Sequence, residues 1–91
     1  MPIVRIPTPL RTYTEGQNEV AVEGSNVAEA MNDLVARYPS LKAHLFSGEG
    51  RLRPFVNLFL DEENIRDLQG VETSLKEDDR LLLVPSVAGG A

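Results

Sequence analysis

The sequence predicts an α+β fold in which a mixed sheet of about four to five strands packs on one main helix. Residues 19–23 alternate polar and apolar side chains in the manner of a half-buried strand. Residues 27–38 carry apolar side chains at the spacing of one helical face. Two further runs, Phe55–Leu60 and Asp79–Pro85, are rich in residues that favour strands.

The N-terminal segment is predicted to form a hairpin. Ile3–Ile6 is a short strand that directs Val4 and Ile6 toward the core, and two prolines then end its regular pairing. Leu10 is expected to return to the core. Turn-forming residues at positions 14–18 reverse the chain, so that the strand after them pairs back on the first.

A helix is predicted to begin after Asn26 and to end near Tyr38. Asn26 is an N-cap residue and Glu29 follows three positions later, a capping-box arrangement with asparagine in the Ser/Thr place. Pro39 ends the helix because proline disfavours helical backbone in the residue before it. We expect the apolar stripe of this helix to pack on the sheet; its members are Val27, Ala30, Met31, Leu34, Val35 and Tyr38.

Residues 40–53 are predicted to be a connector from which Leu41, Leu45 and Phe46 tuck beneath the domain. The connector carries the only histidine of the chain, His44. No second histidine and no serine stands at a suggestive spacing, so we interpret His44 as a surface or hydrogen-bonded residue without a catalytic role.

The second half of the chain is predicted to supply the remaining strands. The strand at 55–60 should direct Val56, Leu58 and Leu60 inward and its other three residues to the opposite face. A turn at 61–64 then precedes a short extended piece, Ile65–Arg66, and another turn follows before the last strand.

The predicted order is therefore strand, strand, helix, strand, short strand, strand. A hairpin followed by a helical crossover and further strands can bury the helix on one face of a mixed sheet. This is the β-grasp, or ubiquitin-like, arrangement. We expect residues 1–85 to form one β-grasp domain and residues 86–91 to form a flexible Gly-Gly tail.

Composition narrows the classes of function. The net charge is −5 and no Lys/Arg cluster is interleaved with aromatic residues, so we expect no nucleic-acid partner. No apolar run approaches the length that crosses a bilayer, and the N-terminus lacks the features of a signal peptide. We therefore expect a cytoplasmic protein with no membrane partner. The chain has no cysteine, which excludes disulfides, thiolate catalysis and Cys-bound metals.

Two carboxylate runs, Asp61–Glu63 and Glu77–Asp79, are the remaining candidates for metal binding or acid–base chemistry. Both fall in predicted turns, and neither has the glycine and closing glutamate of a calcium loop. We interpret both runs as solvated surface. The sequence thus predicts no metal, no cofactor and no enzyme site.

The alternation of the last strand predicts an exposed apolar patch. If Leu81 and Leu83 point into the core, Leu82 and Val84 point outward on the same sheet face as Phe59. Monomeric proteins rarely leave such a patch uncovered, which favours a docking site for a partner. The alternative is that a loop or a second copy of the chain covers it.

The tail carries the second functional signal. Gly89-Gly90 has no side-chain bulk, so it can enter a narrow active site that excludes larger residues. A Gly-Gly-Ala ending alone is more typical of a frayed terminus. The strand directly before the tail favours the functional interpretation, because the tail then leaves straight from a sheet.

Several segments together form a recognisable pattern: Phe55–Asp61, Asn64–Arg66 and Leu83–Gly90, with Ile6–Thr8 and Leu10–Arg11 in the N-terminal half. The Pro-x-Val-Ala-Gly-Gly ending is the most specific part. In these residues the chain resembles the ubiquitin-like sulfur carriers, the family of MoaD, ThiS and CysO. It is most similar to the CysO type of cysteine biosynthesis, and the resemblance covers essentially the whole chain.

The resemblance implies a protein whose reactive group is its own C-terminus. An ATP-dependent E1-like activating enzyme would adenylate Gly90, and a sulfur donor would then displace AMP to leave a thiocarboxylate. The sulfur would pass to an aminoacrylate held by a PLP-dependent cysteine synthase, after which a zinc metalloprotease frees cysteine. Gly89, which has no side chain, would let the tail enter a narrow active site. The partner-docking residues would be Phe59, Leu82, Val84 and Arg11.

The sequence departs from the family pattern at its end, because Ala91 follows the reactive glycine. Some family members are precursors that a metalloprotease trims, so we expect cleavage between Gly90 and Ala91 before activation. Other interpretations stay open at this point. The sulfur acceptor could be molybdopterin, thiamine or tRNA instead of cysteine, the chain could be a protein modifier joined to lysines through Gly90, or the tail could be inert.

Overall fold

The computed structural model describes residues 1–48, 52–53 and 56–85. The strands are β1 (Ile3–Arg5), β2 (Glu19–Ala21), β3 (Val56–Leu60), β4 (Glu63–Asn64) and β5 (Arg80–Pro85), and the helices are α1 (Val27–Arg37) and α2 (Lys42–Leu45). One sheet contains the strands in the order β2-β1-β5-β3-β4. β1 pairs with β2 in antiparallel and with β5 in parallel orientation, whereas β3 is antiparallel to both β5 and β4. The predicted mixed sheet and β-grasp arrangement are confirmed.

The N-terminus of α1 is capped, and one hydrogen bond of the cap differs from the predicted one. The Asn26 side chain accepts a hydrogen bond of 2.8 Å from the Glu29 amide, as an N-cap residue does. The Glu29 carboxylate, however, accepts from both the amide and the hydroxyl of Ser25, each at 2.8 Å. The expected capping box is therefore only half right, because the return bond goes to the residue before the N-cap.

The helix packs its apolar stripe against the sheet. Val35 and Tyr38 are partly buried beside the core, in keeping with the predicted stripe. Leu60 is also partly buried and packs against the core opposite Leu81, so it points inward as predicted. The fully or nearly fully buried core draws on every part of the described chain: Val4, Ile6, Leu10, Val20, Val22, Val27, Ala30, Met31, Leu34, Leu41, Leu45, Val56, Leu58, Ile65, Leu75, Leu81 and Leu83.

Three segments expected to be irregular or extended form short helical turns. Thr8–Thr14 and Pro39–Leu41 are 3-10 helices, each with a proline in the first turn. The N–H groups of a first turn have no partner within the helix, so a proline there costs no hydrogen bond. The connector then continues as α2. The third segment, Ile65–Asp67, is a 3-10 helix and not the predicted extended piece, because the Asn64 side chain accepts from the Arg66 amide at 2.9 Å.

The short strand of this region lies two residues earlier than predicted. β3 and β4 are joined by only two residues, Asp61 and Glu62, whose φ angles are 50° and 74°. Two positive φ angles match the right-handed twist of a tight hairpin. The predicted four-residue turn is thus a two-residue turn followed by β4. Phe55, the first residue of the strand predicted at 55–60, lies outside the described residues. The predicted tail at 86–91 lies outside them as well.

Gly24 leads to a first prediction, because the backbone there lies against the start of α1. A Cβ atom added at Gly24 would stand 2.6 Å from the Ala30 amide nitrogen and 2.9 Å from the Glu29 carbonyl carbon. Backbone atoms cannot move aside cheaply, so we expect Gly24→Ala to lower the free energy of unfolding by about 1–3 kcal/mol. Urea denaturation measures this change.

Gly48→Ala is the matched control. A Cβ added at Gly48 meets no described atom within 4 Å. We expect the control to change stability by less than about 0.5 kcal/mol. Equal effects of the two substitutions would contradict a steric role for Gly24.

Glu29 leads to a second prediction, on pH dependence. The hydrogen bonds from the Ser25 amide and hydroxyl hold the pKa of the Glu29 carboxyl below its ordinary value. A carboxyl with a lowered pKa in the folded state stabilises the fold above its unfolded pKa, and this stabilisation is lost as the pH falls through the folded value. We expect Glu29→Gln to be less stable than the parent chain at about pH 7 and to lose that difference near about pH 3. A difference that stays constant between these pH values would contradict the assignment.

Candidate functional site

β5 shows the predicted alternation. Leu81 and Leu83 are fully buried, whereas Leu82 has 42% of its surface exposed. Val84 is half-buried and lies opposite Asn57 on β3. The outward residues of β5 therefore lie on the sheet face opposite α1, because the inward residues belong to the core.

Leu82 is the centre of a row of side chains across three strands. It lies opposite Phe59 on β3 and beside Arg5 on β1. A surface cavity of about 290 Å³ opens here, and its lining includes Phe59 and Leu82. We call Phe59, Leu82 and Val84 the docking face, since the structure places all three predicted apolar residues on the same face.

Charged side chains lie on two sides of the docking face. The Glu19 carboxylate lies 2.9 Å from Arg80 Nη1 and 3.8 Å from Arg5 Nε, and both arginines line the cavity. Asp61 and Glu62 line it as well. Two arginines that bind Glu19 and two carboxylates thus line the same cavity.

Sequence reasoning did not assign these charged residues to the site. Arg80 stands two positions before Leu82, so the period of two along a strand would have placed both on one face. The contribution of Arg5 depends on the parallel register of β1 with β5, which the sequence does not encode locally. Asp61 and Glu62, which the sequence predicts to be solvated surface, are exposed in the structure.

Arg11 occupies a different place from the docking face. Its Nε donates a 3.0 Å hydrogen bond to the carbonyl of Ile6, one residue beyond the end of β1. Because β1 runs parallel to β5, both strands end at the same edge of the sheet. By that register Ile6 is level with Leu83, so the carbonyl that anchors Arg11 lies two residues before the end of β5.

The tail begins at this same edge. Pro85, the last residue of β5, lies opposite Val56 at the start of β3. The predicted reactive residue Gly90, the clearance residue Gly89 and the predicted cleavage at Ala91 lie outside the described residues. We call the end of β5, with the neighbouring ends of β1 and β3, the exit edge.

The other candidates of the sequence show no catalytic arrangement. His44 is exposed, and its ring stacks on that of Tyr13 with 4.2 Å between centroids. Within the described residues, no three acidic or histidine side chains are grouped so as to hold a metal ion. Among the described helices, none has the length and hydropathy required to span a membrane.

Comparison with known proteins gives the family. A model of the ThiS family matches residues 4–90 of the chain. The chain belongs to the ThiS family. The match spans both the docking face and the exit edge, and it ends at Gly90.

Two proteins that are similar to this chain agree with the assignment. The sulfur carrier protein CysO of Mycobacterium tuberculosis (strain H37Rv) is 36% identical over 89 residues, which cover 96% of each chain. The chain in the crystal structure of the Amycolatopsis orientalis BexX/CysO complex superimposes with a TM-score of 0.88 at 38% identity, over 99% of this chain and 100% of the other.

A third similar structure carries a different kind of name. The solution structure of small archaeal modifier protein 1 from Methanosarcina acetivorans superimposes with a TM-score of 0.86 at 30% identity, over 98% of this chain and 95% of the other. The ThiS-family chain is therefore similar in sequence and fold both to sulfur carriers and to a protein named as a modifier.

The alternation of β5 gives a third prediction, which separates surface from core. Leu83→Ala removes a fully buried side chain and should lower the free energy of unfolding by about 2–5 kcal/mol. Leu82→Ala removes a side chain that is only about half buried, so we expect a loss of about 1 kcal/mol. Thermal or urea denaturation of the two variants measures the difference. Equal losses would contradict a solvent-facing position for Leu82.

Proposed function

We propose that this chain is a sulfur carrier that acts as a co-substrate and not as an enzyme. One observation carries the proposal. β5 leads from an exposed apolar sheet face directly into a Gly-Gly tail, in a chain whose match to the ThiS family ends at Gly90. The name of the CysO relative supports the same function.

The chemistry takes place at the carboxylate of Gly90. A carboxylate is a poor electrophile, so an E1-like activating enzyme first joins it to the α-phosphate of ATP and releases pyrophosphate. Sulfide (HS⁻) then attacks the acyl carbon, AMP leaves with the electrons of the broken bond, and the resulting thioacid loses its proton. The product is a thiocarboxylate, whose sulfur is anionic at neutral pH and strongly nucleophilic in the way that thiolates are.

The glycine pair makes this chemistry sterically possible. Gly89 and Gly90 carry no side chain, so a narrow cleft can enclose the tail up to the reacting carbon. Ala91 blocks the reaction, because its presence turns the Gly90 carboxylate into an amide. We propose that a zinc metalloprotease removes Ala91 before activation.

The sulfur is delivered to a partner that docks on the sheet. We propose that Phe59, Leu82 and Val84 bind the partner enzymes while the tail reaches into their active sites. The likeness to CysO favours cysteine biosynthesis as the destination, with a PLP-dependent cysteine synthase as acceptor enzyme. We place these steps in the cytoplasm.

The intact mass of the protein purified from its own cells tests the proposal. We expect a species that has lost one alanine residue, together with a heavier form in which one oxygen is replaced by sulfur. The second form should be alkylated by iodoacetamide, because its anionic sulfur is nucleophilic and the chain has no cysteine that could react in its place. A chain that retains Ala91 in all its forms would contradict the proposal.

The second candidate function is protein modification, which the relative named as a modifier favours. In that case Gly90 forms an amide with lysines of other proteins. A ladder of high-mass conjugates on an immunoblot, lost when Gly90 is deleted, distinguishes this function from sulfur transfer. The same activated Gly90 would serve both functions.

A further inference from the structure

A row of side chains crosses the exposed face of the sheet at the level of Leu82. On β1, Arg5 lies between Glu19 of β2 and Leu82 of β5. Leu82 in turn lies opposite Phe59 of β3. Paired residues of neighbouring strands point to the same face and are about 5 Å apart. The apolar docking face therefore continues without a gap into charged side chains on β1 and β2.

Two guanidinium groups share one carboxylate at the charged end of this row. Arg80 Nη1 donates a 2.9 Å hydrogen bond to Glu19 Oε2, and Arg5 Nε stands 3.8 Å from the same oxygen. An N···O separation of that length is an ion pair and not a hydrogen bond. Within the part of the chain that the structure describes, the Arg5 guanidinium thus has no hydrogen-bond acceptor, and the three groups together carry one net positive charge.

Docking on the apolar face would change the surroundings of this cluster. Both arginines line the same cavity as Phe59 and Leu82, and the side chains of Arg5 and Arg80 are 53% and 60% exposed. A partner that covers Leu82 must also displace water from the arginines beside it. Removing water from a guanidinium is costly unless another group accepts its hydrogen bonds. Because Glu19 already serves both arginines, the further acceptor has to come from the partner.

We propose that the enzyme which activates the tail places an Asp or Glu carboxylate on Arg5, next to an apolar side chain that fills the cavity over Leu82. The cluster then holds two carboxylates for two guanidiniums and has no net charge when it is buried. A planar guanidinium binds a carboxylate through two parallel hydrogen bonds, so the contact also fixes the orientation of docking. The proposed contact rests on the function proposed above and adds the chemistry of the partner surface.

The other carboxylates of the cavity are separated from Arg5 by β5. Asp61 directly follows Leu60, which pairs with Leu81 on β5, whereas Arg5 belongs to β1 on the other side of that strand. Since neighbouring strands are about 4.8 Å apart, the backbones at Asp61 and Arg5 are roughly 10 Å apart or more. Coulomb energy falls with distance, so attraction at hydrogen-bond distance from Arg5 outweighs repulsion across β5. Asp61 and Glu62 are exposed and can stay hydrated.

The experiment uses the chain ending at Gly90 and the E1-like activating enzyme of the same organism. ATP–pyrophosphate exchange that depends on the chain reports formation of the acyl-adenylate. We expect Arg5→Gln to raise the KM for the chain about tenfold at low ionic strength, since close charge pairs across an interface contribute at least this much. We expect kcat to stay unchanged, because binding at the docking face precedes the reaction at Gly90.

Glu19→Gln gives the decisive comparison, because a partner carboxylate and a purely internal ion pair predict opposite results. Glutamine keeps the shape and an acceptor oxygen of Glu19 but removes its charge, so both guanidiniums are left to the partner carboxylate. We therefore expect the KM to fall by about threefold. If Arg5 and Glu19 only supported the fold, both substitutions would weaken the same ion pair and would move the KM in the same direction. An equal or raised KM for Glu19→Gln overturns the partner carboxylate.

Two substitutions control for the change in net charge. Lys42→Gln removes one positive charge on α2, which contributes Leu45 to the core on the far side of the sheet from Leu82. Glu72→Gln removes one negative charge at a residue whose neighbour Thr73 is hydrogen-bonded to the start of α1. We expect both KM values to stay within about twofold of the parent value, because distant exposed charges are screened. Thermal denaturation verifies that each variant is folded.

The remaining outcomes separate the partner carboxylate from the proposed function. A KM for Arg5→Gln that equals the parent value, with the parent chain active, overturns the partner carboxylate alone. No exchange with the parent chain overturns the proposed function and the partner carboxylate with it.

Discussion

The pairing of β5 is the interaction on which the rest of the structure depends. β5 is the central strand and binds β1 on one side and β3 on the other, so it joins the N-terminal hairpin to the C-terminal half. Its inward residues, Leu81 and Leu83, are fully buried in the core. The same strand holds Leu82 on the exposed face and sets the edge from which the tail leaves. Alternate residues of this one strand therefore build the core and the exposed apolar face.

Charged side chains lie near the start of that strand. One carboxylate, that of Glu19, binds both Arg5 and Arg80, so the cluster keeps one net positive charge. Toward its end, Arg11 donates to the carbonyl of Ile6 and Arg66 to that of Val56, and these bonds fix the position of each guanidinium.

Much of the fold could be predicted because the relevant signals are local. The N-cap of Asn26, the apolar stripe of α1 and the alternation of β5 each depend on residues within a few positions of one another. The predictions were wrong where neighbouring groups offer alternative hydrogen-bond partners. Asn64 turns the chain into a 3-10 helix by accepting the Arg66 amide, and Glu29 bonds to Ser25 instead of Asn26. The two alternatives differ in free energy by about the contribution of one hydrogen bond. Residue types alone therefore do not decide between them.

The sequence by itself determined the β-grasp class, the outward direction of Leu82 and Val84, and the Gly89-Gly90 pair that makes a tail able to enter a cleft. These follow from periodicity and from the chemistry of single residues. Only the tertiary structure decided which charges lie beside them. The parallel register of β1 with β5 brings Arg5 to Leu82, and the Arg80 side chain reaches Glu19, 61 residues away in the chain. Contacts between residues so distant in the chain depend on strand order and register, which no local pattern records.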